Sequence, residues 1–442
     1  MSRFVLRGGR LIDGGGDHGQ HDLYLRDGVI EGLDLGGEVD AEYDASDATV
    51  TPAFLDLHAH LRDPGQEVKE DLASGLAAAA AGGFGTVVSM ANTDPVVDDA
   101  GLVADLVARA ARLRGARLRP AAALSRGLAG VELTDFAALK AAGAVMITDD
   151  GIPVVDSHLM RRACEYAAEL GLVIQTHSED PALRAKGVMN EGEVSHRLGL
   201  PGNPVEAEAL MLFRDGELAR MTGARVHLAH VSSRRGLEVA GWLKSSGAPI
   251  TVEVTPHHLT LTDESLALFD PVYKVAPPLR TAQDVAYLRR ALIEGAAPSH
   301  TGSNPGAHGG TAFAIVDSIG TDHAPHTLAE KERDMLEAPF GIGNIEVSFP
   351  LLYTELVEQG ELPLARLLHL LQDGPARVMG WRAPRLERGM PADVTVLDLA
   401  TERPVDGATF LSKAKHTPWQ GARLRGWPRF TFVAGHVVYH RP

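Results

Sequence analysis

Residues 145–177 read VMITDDGIPVVDSHLMRRACEYAAELGLVIQTH, and this stretch decides the fold. It holds two short apolar runs, Val145–Ile147 and Val173–Thr176, on either side of a segment rich in Ala, Glu and Arg, Asp156–Leu170. Short apolar runs bounded by turn signals predict buried strands, and the longer segment between them predicts a helix. The stretch is therefore typical of a strand–helix–strand unit, in which both strands lie parallel in one sheet.

The same alternation of strand and helix extends across most of the chain. Each interval between strand candidates contains a segment that could hold a helix, such as Asp71–Ala81. The strand candidates are Val50–His58, Thr86–Met90, Leu118–Ala123, Val145–Ile147, Val173–Thr176, Arg225–Ala229, Ile250–Glu253 and Ile319–Gly320. Eight such units, with no Gly-x-Gly-x-x-Gly turn after the first strand, predict an α/β fold of the (β/α)8 TIM barrel type rather than an open doubly wound sheet.

The two ends of the chain have a different sequence pattern from the middle. Alternating runs such as Phe4-Val-Leu6 and Asp22–Arg26 are separated by glycine-rich turns near the N-terminus, and similar runs return after Gly389. Neither end is long enough for a stable core of its own. We expect both ends to combine into one small β-sandwich domain, residues 1–52 and 386–442, beside a catalytic barrel of residues 53–385.

Length, charge and cysteine content exclude several classes of protein. The 442 residues suffice for a barrel and a small domain. With 42 basic and 58 acidic residues, the net charge of −16 would repel nucleic acids and anionic membrane surfaces. Cys164 is the single cysteine, and no signal peptide or apolar run of membrane-spanning length is evident. We expect a cytoplasmic protein with a small-molecule partner, although composition alone does not separate an enzyme from a binding protein.

Two histidines at the end of the first strand candidate point to function. In Leu55-Asp-Leu-His-Ala-His-Leu-Arg62, the two-residue period of a strand sends His58, His60 and Arg62 to one face. Because the chain has 19 histidines, a chance His-x-His pair is plausible. The pair by itself therefore does not establish a metal site.

Further ligand-type residues stand at the ends of other strand candidates. Histidines follow two of them, and aspartates close two more. Because the C-terminal ends of all barrel strands converge on one mouth, these side chains should meet there. A single His or Asp at a strand end is usually satisfied by a local hydrogen bond, but structure alone gives no reason to gather six. The predicted metal ligands are His58, His60, Asp150, His177, His230 and Asp322.

The ligand types indicate which metal would bind. Imidazoles and carboxylates without a thiolate favour a catalytic Zn²⁺ site, with Mn²⁺ or Co²⁺ as substitutes. Six ligands exceed the need of one tetrahedral ion, which favours two ions about 3.5–4 Å apart. We expect His58, His60 and Asp322 on one ion, His177 and His230 on the other, and Asp150 shared. A hydroxide bridging the ions would make the reaction a hydrolysis or its reverse.

Several segments of the chain form an ordered set of motifs. They are His58-x-His60-x-Arg62-Asp63-Pro64-Gly65, Asn92-Thr93, Thr148-Asp-Asp-Gly151, Thr176-His-Ser-Glu-Asp180, Thr321-Asp-His-Ala-Pro-His326 and Ala338-Pro-Phe-Gly341. Taken in this order, they resemble the signatures of type I dihydroorotases of the amidohydrolase superfamily. The resemblance covers nearly the whole chain and includes Lys413–Pro418 and Gly426-Trp-Pro428. Whereas His-x-His alone would indicate only the superfamily, the combination is specific for the family.

The resemblance implies the reversible closure of N-carbamoyl-L-aspartate to L-dihydroorotate in pyrimidine biosynthesis. It implies that Asp322 is the general acid and base, which passes the proton of the nucleophile to the leaving nitrogen. It also implies that the substrate is bound by Arg62, Asn92, His326, Phe340 and Gly341. Local chemistry supports Arg62, whose guanidinium matches a carboxylate, but leaves Asn92 equally well explained as a turn residue and His326 as a residue at a helix start.

The chain departs from the family pattern at three places. Ala276 stands in Tyr273–Arg280 where the family usually has a substrate-binding Asn, which puts affinity or the substrate itself in doubt. Ala91 replaces a usual Pro, a small loss of loop rigidity. An insertion at residues 296–310 has the composition of a flexible loop, and we interpret its His300 and His308 as solvent-facing rather than as ligands.

Two alternative functions remain at this point. The first is another cyclic amidase, a hydantoinase, dihydropyrimidinase or allantoinase. Those relatives generally bridge their metals with a carboxylated lysine on the fourth strand, whereas residues 143–151 contain no Lys and Lys140 precedes the turn into that strand. The second is a non-catalytic scaffold for a partner such as aspartate transcarbamoylase, which should have lost metal ligands. We also expect a homo-oligomer, a dimer.

Overall fold

Eight parallel strands form the central sheet of the protein. The structure is a computed structural model, and it describes residues 2–293 and 315–441. The strands follow one another in chain order as neighbours: Phe54–Ala59, Phe84–Ser89, Arg117–Ala123, Met146–Thr148, Val173–Thr176, Arg225–Leu228, Ile250–Val254 and Ser318–Ile319. The predicted loop at residues 296–310, with His300 and His308, lies outside the described residues.

The sheet closes on itself at the eighth strand. Ala59 forms a parallel bridge with His323, and the backbone N–H of His60 donates to the His323 carbonyl over 2.8 Å. The first and last strands are therefore joined next to the predicted site residues. This closure confirms the predicted barrel and brings the C-terminal ends of its strands to one mouth.

Helices follow most of the barrel strands, as the alternating pattern predicts. Asp71 and Asp156 cap two of the predicted helices, because their side chains accept hydrogen bonds from backbone N–H groups of the first turn. The α-helices are Leu72–Ala81, Ala100–Ala110, Phe136–Ala142, Ser157–Leu170, Pro181–Arg184, Glu193–Leu198, Val205–Thr222, Arg234–Ser245, Pro256–Thr260, Ala282–Ala291, Leu328–Lys331, Ser348–Leu352, Leu364–Leu371 and Asp373–Met379. Among the described residues, no helix has the length and apolar character needed to span a membrane.

A continuous apolar core lies between the barrel strands and the surrounding helices. Phe54 on the first strand packs edge-on against Phe84 on the second and stacks on Phe349, with ring centroids 5.6 Å and 4.9 Å apart. All three rings are fully buried. Burying one such side chain contributes roughly 1.5–3 kcal/mol, so this trio helps to hold the site-bearing first strand in place.

Strands from both chain ends form a second, separate sheet with its own apolar core. Leu11 and Val50 from the N-terminal part and Val394 from the C-terminal part are completely buried in that core. The strands are Arg3–Asp13, Gly16–Arg26, Val29–Leu33, Ala41–Asp44, Thr49–Pro52, Val394–Asp398, Trp427–Val433 and His436–His440. The prediction that the two termini combine is confirmed. Short two-stranded ladders are Met189–Asn190 with Gly202–Asn203, and Arg403–Pro404 with Arg423–Leu424.

The predicted first strand, Val50–His58, is wrong in one respect, because the structure divides it between the two sheets. Thr49–Pro52 pairs with strands of the terminal sheet, and Phe54–Ala59 belongs to the barrel. Ala53 lies between them and donates its N–H to Asp393. The run is continuously extended and lacks a turn signal other than Pro52, so periodicity alone could not show where the chain leaves one sheet and enters the next.

Candidate metal centre

The mouth of the barrel holds a cavity of about 310 Å³. The structure brings together all six predicted ligands there, and each is buried. Every predicted site residue except the fully buried His58 contributes to the cavity wall, which is formed by His60, Arg62, Asn92, Asp150, Gly151, His177, Arg184, His230, Val275, Ala276, Asp322, Ala324, His326, Pro339, Phe340 and Gly341.

Asp150 lies at the centre of the four histidines. Its Oδ1 atom is 3.3 Å from His58 Nε2, 3.5 Å from His230 Nε2 and 3.6 Å from His177 Nδ1. Its other oxygen, Oδ2, is 3.4 Å from His60 Nε2. One carboxylate therefore faces imidazoles from three other strand ends, which is the position that a bridging ligand needs.

Asp322 closes the cluster from the eighth strand. Its Oδ1 atom lies 3.3 Å from His60 Nε2 and 3.7 Å from His58 Nε2. Its Oδ2 atom turns away from that pair, with His257 Nε2 at 3.8 Å. The two oxygens of Asp322 thus have different surroundings, one among the candidate ligands and one beside them.

The residues present fit a divalent metal. In the described part of the chain, two groups of three ligand atoms lie within 4.8 Å of one another: His58, His60 and Asp322, and His58, Asp150 and His230. Both ring nitrogens of His230, together with His58 Nε2 and Asp150 Oδ1, are buried without a hydrogen-bond partner among the described residues. Buried polar atoms without partners are costly, and a bound cation would satisfy these atoms.

Three side chains orient the candidate ligands. Asn92 Oδ1 accepts a hydrogen bond from His60 Nδ1 over 2.9 Å, so the Nε2 lone pair of His60 faces the carboxylates. Glu253 Oε1 lies 3.1 Å from His58 Nδ1, and Glu179 Oε2 lies 3.3 Å from His177 Nε2. Sequence reasoning missed both glutamates. Glu253 ends the predicted seventh strand and Glu179 lies two residues beyond His177, so the strand-end rule could have identified them.

Charges in the cluster stabilise one another. Burial raises the pKa of the Asp150 carboxyl, but the facing His58, His177 and His230 outweigh burial and hold that pKa well below its ordinary value. Burial lowers the pKa of His177, yet Asp150 and Glu179 raise it to about 9. The carboxylate of Asp150 is therefore ionised, and it supplies negative charge that a bound cation would neutralise.

Three of the site residues have an unusual backbone conformation. The φ angles are 59° at Arg62, 36° at His230 and 44° at Asp322, in the left-handed region that side chains other than glycine seldom adopt. Such strain costs of order 1–3 kcal/mol per residue and persists only where the surrounding structure imposes it. Its concentration at three separate strand ends supports a functional role for this mouth.

Arg62 and His326 form the polar pair next to the ligand cluster. Arg62 donates from Nε to the Pro325 carbonyl over 3.2 Å, and its Nη2 atom lies 3.2 Å from His326 Nε2. The same His326 nitrogen donates to the Phe340 carbonyl over 2.8 Å. Burial lowers the pKa of Arg62 to about 10 and, with Arg62 nearby, that of His326 to about 2. At neutral pH the pair therefore carries one positive charge, which suits a carboxylate.

The loop that carries Phe340 closes over the cavity. Gly341 has a φ of 142°, and a Cβ atom there would lie 2.6 Å from the Ala324 carbonyl oxygen. Only glycine fits this approach. Two buried lysines hold the loop through backbone carbonyls: Lys274 Nζ donates to Met335 and Ala338, and Lys331 Nζ donates to Pro271, Lys274 and Pro339.

Replacing Lys331 by Met should lower the free energy of unfolding by about 3 kcal/mol or more. The change leaves three carbonyl oxygens without their donor, and each unsatisfied buried group costs about 1–3 kcal/mol. Urea denaturation measures the loss, and Lys186→Met, at an exposed position, is the control. A loss below 1 kcal/mol for Lys331→Met would show that the ammonium does not hold this loop.

No lysine among the described residues lines the cavity. Lys140, the lysine nearest the fourth strand in sequence, donates from Nζ to the Leu170 carbonyl in an exposed part of the structure. The carboxylate of Asp150 therefore occupies the centre of the cluster, where the alternative cyclic amidases are expected to have a carboxylated lysine.

Comparisons with known proteins agree with this architecture. The Dihydro-orotase-like family matches residues 48–236. A dihydroorotase of Deinococcus radiodurans is 53% identical over 419 residues, 95% of each chain, and one of Thermus aquaticus is 48% identical over 441 residues, 98% of this chain and 99% of the relative. The solved L-hydantoinase (dihydropyrimidinase) of Arthrobacter aurescens superposes with a TM-score of 0.84 at 25% identity, over 100% of this chain and 96% of that chain. The similarity therefore includes both the barrel and the terminal sheet.

Proposed function

Because this chain belongs to the dihydroorotase family and is a cyclic amide hydrolase, we propose that it interconverts N-carbamoyl-L-aspartate and L-dihydroorotate in pyrimidine biosynthesis. The observation that carries the proposal is the Arg62–His326 pair in the same cavity as the candidate metal ligands. Dihydroorotate has a carboxylate that such a pair can bind. Hydantoin and dihydrouracil lack one, and they would leave the buried guanidinium without a counter-charge.

We assign the metal to the histidine and aspartate cluster, as two Zn²⁺ ions. The first ion would be held by His58, His60 and Asp322, the second by His177 and His230, with Asp150 shared between them. When bound, the ions would polarise the amide carbonyl and lower the pKa of water so that it can attack. The donor set supports zinc because it contains imidazoles and carboxylates but no thiolate.

Asp322 is the proposed proton carrier. Its Oδ1 atom faces the candidate ligands, whereas Oδ2 has His257 Nε2 at 3.8 Å and is available for proton transfer. In ring opening, Oδ2 accepts the proton of the attacking water and delivers it to the ring nitrogen as the C–N bond breaks. In ring closure, protonated Asp322 gives its proton to the carboxylate oxygen that will leave, and the substrate nitrogen attacks the carboxyl carbon. The proton released by that nitrogen passes to the same oxygen, which departs as water when its C–O bond breaks.

Arg62 and His326 orient the substrate for this chemistry. The carboxylate that remains on the ring binds between them, and the loop carrying Phe340 and Gly341 covers the ring. Fixing that end of the substrate places the amide bond beside Asp322 and keeps bulk water out. Asn92 is already engaged through Oδ1 by His60, so its amide N–H groups are the part available to the substrate.

Replacing Arg62 by Lys should raise the KM for dihydroorotate about tenfold or more, although the positive charge is kept. An ammonium cannot reproduce the planar two-donor fork of a guanidinium, and one charge-assisted hydrogen bond contributes about 1.5–3 kcal/mol. Steady-state kinetics with a parallel metal determination measures the effect. If KM stays unchanged while the protein keeps its metal, Arg62 does not bind the carboxylate.

A substrate panel tests the proposed function. The purified protein is assayed with dihydroorotate, hydantoin, dihydrouracil and allantoin under identical conditions. We expect turnover of dihydroorotate far above that of the three rings without a carboxylate. Ala276, which removes one amide from the pocket, is the observation that favours another ring. Turnover of neutral rings alone would overturn the proposal.

A further inference from the structure

A second guanidinium lines the cavity, and the chemistry above does not use it. Arg184 ends the short helix Pro181–Arg184, which follows the fifth barrel strand. Its Cζ atom lies 4.6 Å from the centre of the Phe340 ring, and its Nε atom lies 3.2 Å from Glu179 Oε2. In the described part of the chain, no group accepts a geometrically sound hydrogen bond from the buried Nε. The Phe340 ring and the Glu179 carboxylate thus hold Arg184 in place, and N–H groups of its guanidinium remain available to a ligand.

Arg184 and Ala276 line the same cavity. Lys274, two residues before Ala276, places its Nζ atom 4.5 Å from the same Phe340 ring, and both Val275 and Ala276 line the cavity. The methyl group of Ala276 cannot donate a hydrogen bond. Among the side-chain donors that line the cavity, the guanidinium of Arg184 is the one that the proposed chemistry leaves without a role.

Phe340 contacts both the carboxylate-binding pair and Arg184. Its backbone carbonyl contacts His326, which adjoins Arg62, whereas its ring faces Arg184. In dihydroorotate a single ring nitrogen separates the carbon that bears the carboxylate from the urea carbonyl carbon, so the carboxylate and the urea oxygen project from the ring in different directions. A substrate anchored through its carboxylate at Arg62, with its scissile amide beside Asp322, leaves the urea carbonyl to another part of the wall, where Arg184 is a donor without an assigned partner.

We propose that Arg184 is a substrate-binding residue that donates N–H groups to the urea carbonyl oxygen of dihydroorotate and of N-carbamoyl-L-aspartate, and so supplies the donor that Ala276 lacks. This inference rests on the proposed function. A guanidinium donates to a neutral carbonyl oxygen through a charge-assisted hydrogen bond, which is about twice as strong as a bond from a neutral amide. The residue therefore contributes to affinity for both the closed and the open substrate.

A purely structural role for Arg184 predicts a different outcome. Glu179 contacts both Arg184 and His177, so Arg184 could act only by fixing Glu179 and thereby a candidate metal ligand. Loss of such a positioning residue lowers metal affinity. A substrate-binding residue instead changes KM while the metal content stays constant.

The test compares Arg184→Gln with Lys186→Gln in the metal-loaded protein. Lys186 is exposed two residues further along and does not line the cavity, so its variant removes the same charge outside the pocket. We expect Arg184→Gln to raise KM at least tenfold for both dihydroorotate and N-carbamoyl-L-aspartate, with little change in kcat and unchanged metal content. Lys186→Gln should behave like the unmodified protein.

Rescue by a second substitution provides the sharper readout. Ala276→Asn places an amide donor on the cavity wall, so Arg184→Gln/Ala276→Asn should recover most of the lost affinity. An unchanged KM for Arg184→Gln would overturn the inference, as would a fall in metal content that Ala276→Asn does not correct.

The unmodified protein separates this inference from the proposed function. If it fails to turn over dihydroorotate, both the proposed function and the inference are wrong. If it turns over dihydroorotate but Arg184→Gln has no effect, only the inference is wrong.

Discussion

Asp150→Ala protein is expected to lose most of both metal ions and, with them, all but a trace of its activity. Asp150 faces four imidazoles at 3.3–3.6 Å, namely His58 and His60 of the first proposed ion and His177 and His230 of the second. Removing it also leaves a cluster of histidines without the carboxylate that compensates their charge. His177→Ala should chiefly lower the occupancy of one ion, because His177 lies at one side of the cluster.

The control for this experiment is the neighbouring carboxylate. Asp149 accepts hydrogen bonds from the backbone N–H groups of Leu124 and Ser125, and it does not face the histidines. An amide oxygen can accept the same bonds, so Asp149→Asn should keep its metals. Elemental analysis of the purified variants measures the difference. Full metal content in Asp150→Ala protein would show that Asp150 is not a ligand.

Asp322→Asn protein should lose between about a hundredfold and ten-thousandfold in kcat, the usual contribution of a general acid or base. An amide can neither accept the proton of the attacking water nor return it. Burial raises the pKa of Asp322, but His60, His58 and His230 outweigh burial and lower the pKa below its ordinary value. The carboxylate is thus ionised for ring opening at neutral pH, whereas ring closure needs its protonated form and should accelerate as the pH falls.

Kinetics in both directions and metal analysis of the same sample separate the two roles of Asp322. If Asp322→Asn keeps its metals and loses turnover in both directions, proton transfer is the missing function. If Asp322→Asn loses one metal ion as well as turnover, the main role of Asp322 is to bind metal. Near-normal turnover with both metals in place would remove Asp322 from the mechanism.

The convergence of the six candidate ligands could be predicted because each follows a local signal. A short apolar run marks a buried strand, and the residue just beyond it belongs to the mouth of a closed barrel. His177 after Val173–Thr176 and Asp150 after Met146–Thr148 are examples of this rule. The rule needs only the order of strands and not their exact packing, so errors of a residue in the boundaries did not disturb it.

Side-chain partners could not be predicted in the same way. The contact between Glu253 and His58 joins residues 195 positions apart, and it depends on the rotation of each strand within the closed barrel. The position of Arg184 depends on a four-residue helix beyond the fifth strand, for which periodicity carries no signal. The crossing from Thr49–Pro52 to Phe54–Ala59 could not be predicted for a related reason, since one residue joins the two buried strands and only tertiary pairing separates them.

The most direct test of the account is a zinc titration of metal-stripped protein, in which the formation of dihydroorotate from N-carbamoyl-L-aspartate is followed at each addition. The arrangement of His58, His60, Asp150, His177, His230 and Asp322 predicts no ring closure without metal. It further predicts activity that rises until two equivalents of zinc per chain are bound. Two results would contradict the account: ring closure that persists in fully metal-free protein, and zinc-loaded protein that forms no dihydroorotate.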